Sequence, residues 1–364
     1  MNRITKIILG AIALFVLIAP ATATAQTNNN VSASASITYM PYVSLRGATY
    51  DAGSVNKNGL SSNTYDPRTG NGTSSFTRTT ELIKIEPARK PMMKFDGEVI
   101  SKKTNFGVAV SGWKYTGDTA STNGLAGNGD SLNIWQQSMY SEGGAEYSAS
   151  SSWKMDLFEA GLTYKHEGLR TTTKFSAGGM YTKMGNDNSL SEAHQYNSFS
   201  EGEKMMAGFG HEEVVVSSTG NMDFKGFGPQ AGVDLTAHVG PLNLHSSTKV
   251  GYVFGEQTEK AEWKYQSEYS FWYGVGQKAG GNSLNKGSIP LNTSTKVAMS
   301  VFQQELGASL KLWKLEVGTG FYVASFHGLA DQASYNGMLG SWGKSPASTT
   351  PTLVGATATI KLVF

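Results

Sequence analysis

The chain has 364 residues, a formal net charge of +2, 43 glycines, 11% aromatic residues and no cysteine. The near-neutral charge argues against nucleic acid as a partner. The lack of cysteine excludes disulfides, thiolate metal sites and cysteine catalysis.

The first 25 residues have the pattern of a secretory signal peptide. Arg3 and Lys6 precede an uncharged apolar run over 7–20, and Ala23–Ala25 forms an A-x-A cleavage site. We predict cleavage after Ala25; cleavage after Ala23 and an uncleaved anchor are the alternatives. Removal of this segment lowers the net charge to about zero. The rest, 26–364, is predicted to be one domain without a membrane-spanning helix, because it has no run of about 18 apolar residues.

The remaining chain alternates strand-like segments with polar connections. We predict about ten strands, with eight to twelve as the range, and their approximate bounds are 31–50, 76–101, 105–115, 153–165, 169–183, 222–237, 242–254, 297–312, 315–326 and 353–364. Pro41 interrupts the first strand, and Gly228–Pro229 predicts a bulge or bend in the sixth, since proline cannot donate to a ladder.

The lengths of the connections predict the fold class. Short turns follow the even-numbered strands and long polar stretches follow the odd-numbered ones. An even count with this alternation is typical of an all-β, up-and-down antiparallel transmembrane barrel, with short periplasmic turns and long extracellular loops. The last strand, 353–364, alternates apolar and small polar residues and reaches Phe364, so it needs a neighbouring strand that a closed barrel supplies. A β-sandwich, the alternative, does not predict this alternation.

One segment of the sixth strand resembles a known family. The sequence MDFKGFGPQAGVDL, 222–235, is similar to a central motif of the Legionella-type major outer membrane proteins, and the matching residues are Phe224, Gly226, Gly228, Pro229, Gly232 and Asp234. Further patches that resemble this family's strands are 155–164, 175–184 and 315–322. The resemblance implies an outer-membrane barrel of a family described as pore-forming, with no catalytic residues to transfer.

The histidines were considered as catalytic or metal-binding residues. His245 precedes Ser246, but adjacent strand residues point to opposite faces, which separates the members of a hydrolase pair. His211–Glu213 alternates in the same way, and His327 near Asp331 lacks the second pair that a protease of this kind requires. The loops at 127–130 and 185–188 resemble calcium loops but lack the spacing and the closing glutamate. We therefore predict no catalytic residue, metal or cofactor.

The densest aromatic stretch is 261–274, which reads AEWKYQSEYSFWYG. We interpret it as part of an aromatic girdle and of extended strand ends. A hairpin above the membrane, an inward-folding constriction, or a site for a sugar or a partner are the alternatives.

Charged residues on the inward faces of the predicted strands are the candidate lumen lining. They are Lys94, Asp96, Glu98, Glu159, Lys165, Arg170, Lys174, Asp234, Lys249, Glu305, Glu316 and Lys361. A selective pore lines its constriction with one sign of charge. Six acids against six bases predict either weak selectivity or mutual pairing that fills a narrow barrel.

Two functions follow from this lining. The first prediction is a small, weakly selective pore for polar solutes in the outer membrane of a Gram-negative bacterium. The second is a closed surface barrel that acts through its extracellular loops, and a barrel enzyme ranks third. The predicted partners are outer-membrane lipid and lipopolysaccharide, small polar solutes if the barrel is open, and the barrel-assembly machinery through the strand ending at Phe364.

Overall fold

The computed structural model of the chain describes residues 30–364 except 49, 67–70, 88, 118, 127–130, 135–136, 141–144, 202–206, 274–276, 279–282, 331–332, 337–340 and 345–349. The strands are β1 Val31–Arg46, β2 Tyr50–Asp66, β3 Asn71–Ile85, β4 Lys90–Ser101, β5 Phe106–Thr116, β6 Ala120–Ala126, β7 Ser131–Ile134, β8 Gln137–Tyr140, β9 Ala145–Glu167, β10 Thr171–Glu201, β11 Ala207–Val239, β12 Leu242–Tyr273, β13 Gln277–Lys278, β14 Ser283–Leu312, β15 Leu315–His327, β16 Ala333–Asn336, β17 Ser341–Lys344 and β18 Thr352–Val363. Within the described part of the chain, no helix is long and apolar enough to span a membrane. The predicted signal peptide lies outside the described residues.

Ten of these strands form a closed antiparallel ring. Its order is β1, β4, β5, β9, β10, β11, β12, β14, β15 and β18, and β18 pairs with β1 to complete the circle. Closure pairs both edges of every ring strand, so the ring has no free edge. The predicted ten-stranded up-and-down barrel is confirmed.

Four tight turns connect ring strands at one end of the barrel, which we call the short-turn end. Asn105 and Trp313 adopt positive φ values of 62° and 58°, and Gly240 adopts 60°. Positive φ is what two-residue hairpin turns require, and glycine reaches it without strain. In the turn after β9, Gly168 N–H donates to the Thr171 carbonyl at 2.7 Å.

The connections at the other end contain more strand than the sequence predicts. The segment after Gly185, predicted to be a loop, is mostly a hairpin in which β10 and β11 stay paired as far as Glu201 and Ala207. β12 and β14 likewise pair as far as Tyr269 and Ser283. The polar stretch after β1 forms the β2–β3 hairpin. We call these extensions the outer hairpins. Many of their buried residues are polar, such as Asn186, Asn188 and Ser218, so the sequence lacks the apolar alternation that marks a strand.

The two prolines singled out in the sequence behave differently. The pairing of β1 shifts by one residue between Tyr39 and Val43, so Pro41 lies in a bulge. Of the predicted bulge or bend at Gly228–Pro229, the bulge is wrong, because the register of β11 is the same on both sides, although the pairing with β12 skips these two residues. Pro229 points outward and is exposed, and the ladder continues past it without an inserted residue.

The outer surface near the short-turn end is apolar. Exposed aromatic and aliphatic side chains alternate along the ring strands, and examples are Phe158, Leu162, Phe175, Phe227, Val250, Phe254, Leu306, Phe321 and Ile360. The ten residue steps from Leu244 to Phe254 rise roughly 24 Å at about 3.4 Å per residue and a tilt of about 45°. This height matches the apolar band of about 25 Å that barrels present to lipid. We call this surface the apolar belt.

Candidate functional site: the barrel lumen

The strand alternation that builds the belt also sends every second side chain into the lumen. Along each ring strand these inward residues change character with height. They are polar or charged toward the short-turn end and apolar toward the outer hairpins, as in Met92, Lys94 and Asp96 of β4. The lumen therefore consists of two layers.

The layer toward the outer hairpins is a hydrophobic cluster that we call the plug. Within the described residues it contains seven methionines, Met40, Met92, Met155, Met180, Met184, Met222 and Met299. Its aromatic members are Trp113, Tyr115, Trp153, Phe224, Tyr322 and Phe326. Each of these side chains is at most 4% exposed. Methionine adapts its shape to irregular gaps between aromatic rings, and the packed plug fills the lumen at this level.

The layer toward the short-turn end contains cross-lumen ion pairs. Lys94 Nζ lies 2.7 Å from Glu305 Oε2 and 3.4 Å from Asp96 Oδ1. Acidic and basic groups from opposite parts of the ring thus neutralise one another instead of lining an open channel with one sign of charge.

Lys174 and Lys249 extend the same pattern around the ring. Lys174 Nζ lies 2.8 Å from Asp234 Oδ2 and 3.2 Å from Glu98 Oε1. Lys249 Nζ lies 2.5 Å from Glu159 Oε2, whose side chain is only 3% exposed. A charge buried this far is stable only when it is paired. These contacts therefore stabilise the folded arrangement of side chains in the lumen.

A hydrogen-bond chain joins the two layers. The Trp113 indole N–H donates to Tyr322 Oη at 2.8 Å, and the Tyr322 hydroxyl donates to Gln303 Oε1 at 2.7 Å. Gln303 Nε2 in turn donates to Glu159 Oε1, and the Ser111 hydroxyl donates to Glu159 Oε2 at 2.6 Å. This chain links residues of four strands, β5, β9, β14 and β15, across the boundary of the plug.

Two cavities remain in the polar layer. One has a volume of about 230 Å³, and Lys94, Glu159 and Lys249 lie in its wall. The other has about 240 Å³, and His238 and Lys311 line it at the short-turn end. Glu98, Lys174, Asp234, Glu316 and Lys361 line both cavities. They form a polar vestibule on the short-turn side of the plug.

The structure places eleven of the twelve predicted lumen charges on inward faces, where each lines at least one cavity. Lys165 lies at the rim, 2.5 Å from Glu167, and Lys361 Nζ lies 4.0 Å from Glu316 Oε2. Arg170 differs, because it lies in the exposed turn between β9 and β10 and lines neither cavity. Turn residues do not follow the strand alternation that predicted its inward position.

Two histidines, His245 and His238, lie in the walls of the vestibule. His245 faces the lumen with Nε2 3.9 Å from Glu305 Oε1, whereas the hydroxyl of Ser246 accepts a hydrogen bond from outward-facing Gln304. His238 Nε2 is 2.9 Å from the Thr172 hydroxyl and its Nδ1 is 2.8 Å from Asn243 Oδ1. These contacts tie the ends of β10, β11 and β12 together.

No group of three or more His, Cys, Asp or Glu side chains that could hold a metal occurs in the described part of the chain. Three predicted candidates lie outside that part: the loop at 127–130, Asp331, and the side chains of His211 and Glu212. Residues 185–188, predicted to be a loop, lie in β10. Asp187 Oδ2 accepts a hydrogen bond from Lys154 at 3.0 Å, so this carboxylate has a strand-to-strand contact.

The plug was not predicted from the sequence. Its signal was present, because Met92 shares the inward face with Lys94, and Met155 shares it with Glu159. Residues 261–273 of the aromatic stretch lie in β12 within the outer hairpins, which agrees with the predicted extended strand ends and with the alternative of a hairpin. There the rings of Trp263 and Tyr265 stack with centroids 6.1 Å apart and planes within 8°.

The closed ring and its apolar belt define the class of the chain as a membrane-spanning β-barrel. No family model matches the sequence, and no curated protein matches it. The resemblance to the Legionella-type major outer membrane proteins therefore remains a prediction.

Solved structures that are similar to the chain are also membrane barrels. The outer membrane protease OmpT from Escherichia coli is 11% identical, with a TM-score of 0.42 over 92% of this chain and 97% of that chain. The toluene transporter TodX of Pseudomonas putida is 8% identical, with a TM-score of 0.20 over 92% and 89% of the two chains. The monoaromatic hydrocarbon channel CymD is 7% identical, with a TM-score of 0.20 over 92% and 88%. TM-scores this low carry no functional argument.

Proposed function

We propose that the chain is an integral barrel of a Gram-negative outer membrane that is closed to solutes and acts through its outer hairpins at the cell surface. The observation that carries this proposal is the plug, whose methionine and aromatic side chains are buried at the level where a pore would need an aqueous path. The paired charges beneath it also favour the second of the two sequence-based functions over the small polar pore.

The orientation of the barrel in the membrane is inferred from the lengths of its connections. Transmembrane barrels of this class place short turns in the periplasm and long loops outside, and the predicted signal peptide provides the route across the inner membrane. The outer hairpins then rise above lipopolysaccharide, and the C-terminal strand ending at Phe364 is the segment offered to the barrel-assembly machinery.

The outer hairpins are the part available to act. They form a continuous sheet of β9, β10, β11, β12 and β14 beyond the belt, and the stacked Trp263 and Tyr265 lie on its inward face. Stacked aromatic rings beside polar strand residues are typical of recognition surfaces. A surface-recognition role therefore agrees with the geometry, and a catalytic role has no assembled residue set among the described side chains.

Solute flux into liposomes tests the proposal. Liposomes that contain the refolded chain are expected to resist swelling in an isotonic solution of a small sugar, as protein-free liposomes do. The matched variant carries Trp113→Ala, Tyr322→Ala and Phe326→Ala, which removes three large side chains from the plug, and it is expected to swell if its barrel folds. Swelling of the unmodified chain at a porin-like rate would refute the closed barrel.

A further inference from the structure

The short-turn end of the barrel has a strong excess of positive charge. Seven basic side chains lie at or near the four turns and the adjoining strand ends, and we call them the basic rim: Lys102, Lys103, Lys165, Arg170, Lys311, Lys314 and Lys361. Only two acidic side chains, Glu167 and Glu316, accompany them in these described turns and strand ends. The rim therefore presents a net positive surface toward one side of the membrane.

Most of this charge is available for an outside partner. Lys165 is paired with Glu167 at 2.5 Å, and Lys361 approaches Glu316 at 4.0 Å. The remaining five bases of the rim have no carboxylate partner within the described part of the chain, and all five are exposed. Unpaired lysine and arginine side chains at a membrane surface attract anionic headgroups.

Apolar side chains lie next to these bases in the turns. Leu169 is fully exposed beside Arg170, and Trp313 is 86% exposed beside Lys314. The Lys314 Nζ lies 5.4 Å from the centre of the Trp313 ring. A tryptophan with an adjacent base is the combination that anchors a chain at the boundary between acyl chains and headgroups. The rim is thus placed at the depth of lipid phosphates.

The opposite border of the belt lacks this excess. There Lys114 lies 3.6 Å from Asp156, and Lys154 lies 3.0 Å from Asp187. Farther along the outer hairpins, Lys264 lies 2.9 Å from Glu262. Acidic side chains such as Asp223 and Glu256 lie among the other bases of this border, so the strong excess of positive charge is a feature of the short-turn end.

We infer that the basic rim binds the headgroups of anionic glycerophospholipids, such as phosphatidylglycerol and cardiolipin, in the periplasmic leaflet. Each lysine or arginine near such a headgroup strengthens binding by roughly fivefold. The exposed leucine and tryptophan fix the depth of the rim, and the bases select the charge of the lipid. The inference rests on the proposed outer-membrane orientation, since that orientation turns the rim toward phospholipid and away from lipopolysaccharide.

Lipid retention by the full-length chain tests this inference. The chain is reconstituted into nanodiscs with equal amounts of phosphatidylglycerol and phosphatidylcholine of the same acyl chains, and retained lipids are counted by native mass spectrometry. The rim variant carries Lys102→Gln, Lys103→Gln, Lys311→Gln and Lys314→Gln. The control variant carries Lys114→Gln, Lys154→Gln, Lys225→Gln and Lys260→Gln, four exposed lysines above the belt.

The unmodified chain is expected to retain phosphatidylglycerol in preference to phosphatidylcholine, and the control variant is expected to keep that preference. The rim variant is expected to lose it by roughly tenfold or more, and raising the salt concentration should weaken it in the unmodified chain. If the four-site variant does not fold, as judged by heat-modifiable gel mobility, the Lys102→Gln and Lys311→Gln double variant replaces it.

Two results would overturn the inference. They are equal retention of both lipids by the unmodified chain, and an equal loss of the preference in the control variant. Solute flux through the barrel would refute the closed lumen without changing lipid retention, so the two failures are distinguishable.

Discussion

The hydroxyl group of Tyr322 connects the plug to the polar layer of the lumen. It accepts the Trp113 indole N–H at 2.8 Å and donates to Gln303 Oε1 at 2.7 Å, in a side chain that is 2% exposed. Tyr322→Phe removes the hydroxyl and keeps the ring. The substitution leaves two buried polar atoms without these partners, and each such loss costs about 1–3 kcal/mol. We therefore expect the free energy of unfolding to fall by roughly 2–4 kcal/mol.

Reversible denaturant unfolding of the chain in lipid vesicles, followed by tryptophan fluorescence, measures this change. Tyr252→Phe is the matched control, because Tyr252 lies on the apolar belt, 47% exposed, and its hydroxyl has no hydrogen bond within the described part of the chain. The control is expected to change stability by less than about 0.5 kcal/mol. A Tyr322→Phe effect no larger than that of the control would show that the chain of hydrogen bonds does not stabilise the lumen.

Further predictions concern charged groups. Lys249→Met leaves the buried Glu159 carboxylate without its ammonium partner and should lower the unfolding free energy by about 3–5 kcal/mol. Adding Glu159→Gln to this variant should restore part of the lost stability, and a double variant as unstable as Lys249→Met would contradict the pairing. In the outer hairpins, burial opposes the charge of Asp187, but hydrogen bonds from Asn221 and Lys154 outweigh it and hold its pKa below the ordinary value. A depressed carboxyl pKa stabilises the folded state above the ordinary value of about 4 and loses that effect as the pH falls through the folded value. The protection of amides in β9 and β10, relative to the intrinsic exchange rate at each pH, should therefore fall in acid. An equal fall in the protection of Asp187→Asn would refute this cause.

The barrel could be predicted from the sequence because its signals are local. Period-two alternation marks which side chains share a face, as in Asn243, His245 and Ser247 of β12. The strict alternation of short and long connections then sets an even strand number and places the turns on one side. The same alternation assigned eleven charges to inward faces, but it did not apply to Arg170, which lies in a turn.

The plug and the outer hairpins could not be derived in the same way. Alternation shows that Met92 and Lys94 point inward, but the height of each residue depends on the stagger of neighbouring strands, which a single sequence does not display. The pairing of Met40 with Met92 and of Met155 with Met184 appears only once the register is known. In the outer hairpins many of the buried residues are polar, such as Asn188, Ser218 and Gln257, so these strands lack the apolar alternation that marks a strand.

Single-channel recording tests the central claim, a closed lumen, most directly. The refolded unmodified chain is inserted into a planar lipid bilayer, and current is recorded under an applied voltage in concentrated potassium chloride. The closed barrel predicts insertion, verified by protection of the ring strands from protease, without conductance steps. Regular conductance steps of uniform size from the inserted chain would contradict the closed lumen. They would favour the small polar pore as the function of this barrel.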